Sequence, residues 1–132
     1  MHPKQEELES TLSMLCQNLD DYLEDMYGTK YRIHPNRLKR GSGSNPRFDG
    51  LFSTALAFTL GYGSNSGRGY VVEVDIRTLD RVPPEERQEI NDAAFSYLQN
   101  NLKTMFPNRD LSIVKDGKLM KIVGDFSLGE AY

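Results

Sequence analysis

RLKRGSGSNPRFDG, at positions 37–50, is the stretch best equipped to hold an anion. Arg37, Lys39, Arg40 and Arg47 bring positive charge to it, with Gly41 and Gly43 between them. Twenty residues after Gly41 the motif returns: GSGSN becomes GYGSN at positions 61–65, and Arg68 follows. Glycines let backbone amides come close to a ligand, and successive amides in such turns form a concave nest for negative charge. If both loops leave the same edge of a sheet, Arg47 and Arg68 converge on one phosphate. No Gly-Lys-Ser/Thr follows the glycines, and the first loop leads into a strand, so neither a Walker loop nor a dinucleotide fingerprint is present. Gly, Ser and Asn also build ordinary polar turns. Both readings stay open.

A second constellation is acidic. In YVVEVDIRTL, Glu73, Asp75 and Arg77 share one face of a strand at two-residue spacing. Beside them the preceding strand offers the small residues Ala55, Ala57 and Thr59, which leave room for a shallow depression. Asp49 lies just ahead of that strand. An acid before one strand and an acid-x-basic triplet on the next resembles, in layout, the restriction-endonuclease-like nucleases. The resemblance implies a helix, three strands, a helix and a strand, with Asp49, Asp75 and Glu73 as ligands of Mg²⁺. Arg77 then stands where the family has a lysine that orients or activates water. An arginine stays protonated and cannot itself be the base. The plain alternative is an exposed strand face with cross-strand charge pairs.

The other reactive side chains carry less. Cys16 sits among leucines of a helical pattern and reads as a small core residue. His2 is near the terminus and His34 precedes Pro35; neither has a partner at zinc-site spacing. No serine has the setting of a nucleophile elbow. Of the seven tyrosines, Tyr31 and Tyr62 fall near the basic and Gly-rich loops, an interleaving that suits single-stranded nucleic acid. Most of the seven fit strand or helix stripes.

The elements that position these groups follow from periodicity. Residues 3–26 predict a helix, with Pro3 in its first turn and Gly28 as a stop. Its stripe of Leu8, Leu12, Leu15, Leu19, Tyr22 and Met26 has heptad spacing, suited to packing on a sheet or to pairing with a second copy. Residues 30–40 alternate as an edge strand that Pro35 keeps out of a central position. Residues 52–60 predict a strand with Phe52, Thr54, Leu56, Phe58 and Leu60 toward the core. In the next strand Tyr70, Val72, Val74 and Ile76 face the core. Pro83 and Pro84 open a second helix over residues 84–106, with Ile90, Ala94, Tyr97, Leu98, Leu102 and Met105 as its stripe. Two short strands joined at Asp116-Gly117 close the pattern. The expectation is one α+β domain over residues 1–132: helix, three strands, helix, two strands, the two helices on one face of a largely antiparallel five-stranded sheet.

Composition bounds the function. The 132 residues are 38% hydrophobic and 27% charged, with a net charge of −3, which disfavours a general nucleic-acid binder. The average hides an asymmetry: residues 1–27 hold seven acids and one lysine, residues 28–48 six Lys/Arg and no acid. No apolar run is long enough to span a membrane, no secretory h-region is visible, and a single cysteine suits the cytoplasm. The leading expectation is a non-catalytic, cytoplasmic protein that needs no cofactor and binds an anionic ligand. That ligand is nucleic-acid or small-molecule phosphate, held by Arg37, Lys39, Arg40, Gly41, Gly43, Arg47 and Arg68. Two alternatives stand beside it: an interaction module that homodimerises through the first helix or the open sheet face, and a Mg²⁺-dependent nuclease using Asp49, Glu73 and Asp75.

Overall fold

The computed structural model describes residues 3–39, 49–61, 67–116 and 119–124. Among them the chain forms α1 (Pro3–Tyr27), β1 (Phe52–Thr59), β2 (Gly69–Ile76), α2 (Pro84–Met105), β3 (Leu111–Asp116) and β4 (Leu119–Gly124). The strands make one antiparallel sheet in the order β1-β2-β4-β3. β3 and β4 pair from Leu111↔Gly124 to Asp116↔Leu119, the hairpin that Asp116-Gly117 signals. The α+β class and the two helices match the sequence pattern; the sheet has four strands where five were expected.

The missing strand is the one placed at residues 30–40. Its described part, residues 30–39, is turns and extended backbone, and its contribution to pairing is an isolated parallel bridge, Leu38↔Asp49. Tyr31 and Ile33 do alternate, and both are partly buried against the core. The backbone, however, makes a single main-chain bond toward β2's end, His34 N–H to Arg77 O at 2.8 Å. Pro35 has no N–H to continue a ladder. Side chains fasten the segment instead. Arg32 clasps Asp80 through Nη2 at 2.8 Å and through its own backbone N–H, and Lys30 reaches Glu86 at 2.8 Å.

The helices cover one face of the sheet. Leu8, Leu12, Leu15, Leu19 and Leu23 of α1 share a core with Ile90, Ala94, Leu98 and Leu102 of α2, and with Phe52, Tyr70, Val72, Val74, Ile76, Ile113 and Ile122 of the strands. Each such side chain contributes roughly 1.5–3 kcal/mol by leaving water, so the leucine row dominates the docking of α1. The row ends differently from the heptad reading. Leu23 is fully buried, whereas Met26 is exposed and Tyr22 stacks on Tyr97 of α2 at 4.8 Å. A straight helix turns 3.6 residues at a time and drifts off a seven-residue repeat by about 20° per heptad. The seam therefore lies inside the fold, and the first four leucines are not available to pair with a second copy. Cys16 is buried as a core residue. Among the described residues no helix is long and apolar enough to cross a membrane.

Candidate functional site

The described residues that root the basic loop are Lys39 on one side and Asp49 on the other. Asp49 is buried, and Arg37 folds over the chain there: Nη2 donates to Asp49 O at 2.6 Å and Nε to Gly50 O at 2.9 Å. Burial and then the neighbouring Arg77 charge lower the Arg37 pKa from its ordinary value, against the pull of Asp49, Asp20 and Asp75. Two further acids of α1 reach this end of the sheet. Asp20 Oδ1 accepts the Thr54 hydroxyl at 2.6 Å, and Glu24 Oε2 accepts the Leu51 N–H at 3.1 Å. The root of the loop is thus a half-buried knot of mixed charge in which Arg37 clamps backbone. Lys39 is exposed; Arg40, Gly41, Gly43 and Arg47 lie outside the described residues.

The second loop is rooted elsewhere. Asp49 and Leu51 adjoin the Phe52 end of β1, while Gly61 and Gly67 flank its Thr59 end. At about 3.3 Å per residue the eight residues of β1 separate the two roots by roughly 26 Å. Gly61 has φ 79°, and a Cβ there would run into the Gly67 carbonyl, so the neck of the loop requires glycine. Lys121 of β4 secures this neck. It is only 2% exposed, its stem crosses Gly69, and Nζ donates to Gly67 O at 2.8 Å. Arg68 is exposed beside it.

The acidic constellation does not assemble. The pleat turns Glu73 and Asp75 to the exposed face away from the helices, opposite Ala55 and Ser53. Asp49 is buried at the root of the other loop. Asp75 instead pairs with Arg77 at 3.2 Å, both half-exposed. Among the described residues no three acids, histidines or cysteines are grouped to hold a metal ion, which removes the geometric basis of the nuclease layout.

A different feature emerges at β1. Arg77 N–H donates to Leu51 O at 2.7 Å, which fixes Leu51, Ser53, Ala55, Ala57 and Thr59 as the residues bonded to β2. The N–H and C=O groups of Phe52, Thr54, Leu56 and Phe58 then point outward, and no described strand pairs with that edge. Phe58 and Leu60, expected in the core, are exposed, and Phe58 keeps an edge contact with Tyr70 at 5.3 Å. Protein edges of this length are commonly guarded by charge, proline or a bulge. β1 reads FSTALAFT and has none of these. Beside it runs a helical row of α1: Glu6, Ser13 and Gln17 lie on the same side as Asp20 and Glu24. Glu6, Glu9, Ser10, Ser13, Met14 and Gln17 line a shallow depression there, and the Glu9 charge is felt by Tyr70.

These observations define a two-layer α+β protein of order αββαββ with an unguarded edge strand flanked by an acidic helix. Residues 3–124 match the model of a protein family described as "Uncharacterised protein", and the chain belongs to that family. A Borreliella burgdorferi protein described as "Uncharacterized protein" is 43% identical over 120 residues, which cover 91% of this chain and 94% of that one. No solved structure matches the chain.

Proposed function

We propose that this chain is a non-catalytic interaction module that takes up an extended peptide segment along the outer edge of β1. The observation that carries the reading is an eight-residue strand, without charge or proline, whose outward backbone groups have no described strand beside them. Strand addition uses such groups for affinity and alternate side-chain contacts for choice of partner. The flank chooses the chemistry. Glu6 and Glu9 line the α1 depression and have no ion pair among the described residues, and Phe58 and Leu60 are exposed at the same end of the strand. A partner with alternating basic and apolar residues satisfies both. The lone cysteine is buried, which is compatible with work in the reducing cytoplasm.

A labelled peptide of alternating Lys and Val, as long as β1, tests this by fluorescence anisotropy. It binds saturably; the Glu-Val counterpart does not, nor does a version N-methylated at alternate positions, which lacks the ladder donors. Replacing Glu6 and Glu9 by Gln weakens binding about tenfold, the loss expected of two partly screened charge contacts. Equal binding of the methylated peptide contradicts the reading. So does a concentration-dependent dimer built on β1, which would assign the edge to a second copy.

A second reading keeps the anion site. It is supported by the acid-free run of residues 28–48 and by Lys39 and Arg68, both exposed and without an ion pair among the described residues. Phosphate groups of a nucleic acid or small molecule would be the ligand. A native gel with end-labelled single-stranded RNA at low salt gives a shift that Arg40→Ala with Arg47→Ala abolishes and that fades steeply with salt. Absence of any shift at low salt removes this reading.

A further inference from the structure

A second opening suited to a small ligand lies between the amino-terminal half of α2 and the sheet. There a cleft of about 500 Å³ is floored by Val72 and Val74 of β2 and Met120 of β4. That volume is within the range of about 300–1,000 Å³ usual for small-molecule sites. It exists because the inward row of α2 changes character. From Ile90 onward the row is apolar and buried, through Ala94, Leu98 and Leu102. One turn earlier the same row carries Arg87, and Asn91 beside Ile90 is only half-buried. An arginine in place of an apolar side chain keeps the helix from closing on the sheet.

Among the described charged residues that line the cleft, Glu73, Arg87, Asp92 and Lys115, not all are paired with one another. Asp92 is matched: its Oδ1 accepts from Lys115 Nζ at 3.1 Å and from Gln88 Nε2 at 2.9 Å. Lys115 also lies over the Phe95 ring, 5.1 Å from its centre, so it is fixed at the cleft wall. Glu73 touches the mouth but its side chain belongs to the opposite, exposed face of β2. The Arg87 guanidinium has neither hydrogen bond nor ion pair among the described residues. It stands at the positive end of a 22-residue helix, over an apolar floor. We infer that this cleft binds a small amphipathic monoanion, its carboxylate on Arg87 and its hydrocarbon body on Val72, Val74 and Met120.

Sodium octanoate is the probe, followed by amide chemical shifts of the labelled protein, with octanol and octylammonium as uncharged and cationic comparators. Octanoate shifts the amides of Val72, Val74, Arg87, Asn91 and Met120 saturably, and binds about tenfold more tightly than octanol, as one charge-assisted contact allows. Arg87→Gln, at an exposed position, removes that preference and leaves octanol binding unchanged. Octylammonium binding as well as octanoate, shifts that do not saturate, or a preference that survives Arg87→Gln each overturn the inference. None of these results depends on peptide binding at β1.

Discussion

Arg37 and Asp20 illustrate how a charged side chain changes meaning once its surroundings are known. Arg37 stands in the sequence as one more cation of a basic segment, yet it clamps the carbonyls of Asp49 and Gly50. Asp20 stands in an acidic helix and is 5% exposed, holding the Thr54 hydroxyl at 2.6 Å. Burying a carboxylate is costly unless hydrogen bonds replace its water, so this contact matters beyond its single bond. Thr54→Val keeps the shape and removes the donor. It is expected to lower unfolding free energy by about 1–3 kcal/mol, measured by urea denaturation with an unchanged slope. A change near zero would show that Asp20 has other compensation. Nothing in residue type marks Asp20, Asp49 or Lys121 as buried. Their burial depends on contacts between segments far apart in the chain, and local spacing is silent about those.

The elements were legible where a repeat was long. Both helices, the hairpin of β3 and β4, and the inward row of β2 follow from periods of 3.6 and 2. Residues 30–40 were not, because the alternation of Tyr31 and Ile33 reports burial and not pairing. What holds that segment is charge, and this makes a pH signature. Asp80 is held below its ordinary pKa chiefly by the Arg32 side chain, Glu86 by Lys30, and Asp92 by Gln88 and then Lys115. A carboxyl depressed in the folded state stabilises above its unfolded pKa, and that stability goes as pH falls through the folded value. Stability is therefore expected to be flat from neutral pH down to about 5 and to decline below about 4, the usual carboxylate range. Lys30 and Arg32 are raised by the same partners, so their share persists at neutral pH and is lost only in strong alkali. Thermal melts across pH check this, with Asp80→Asn flattening the acid limb. Unchanged stability between pH 5 and 3 would contradict it.

At the scale of the molecule, the sheet is asymmetric. Helices cover one face, β2 and β4 are central, and β1 and β3 are edges of different kinds. β3 is strapped to α2 by Lys115–Asp92, whereas β1 carries exposed Phe58 near an acidic helix flank. The sequence displayed β1 as apolar and alternating, from which a core strand was the natural reading. That it is an edge depends on β4 taking the place beside β2, and no local pattern announces strand order. The candidate site was for that reason the least legible part of the chain. The direct measurement is amide hydrogen exchange, residue by residue, on the free protein and with the Lys-Val peptide. The outward amides of Thr54, Leu56 and Phe58 should exchange fast in the free protein while Ser53, Ala55 and Ala57 are protected, and the peptide should slow the outward set at least about tenfold. Outward amides already protected in the dilute free protein, or indifferent to the peptide, would contradict the proposal that β1 is the working edge.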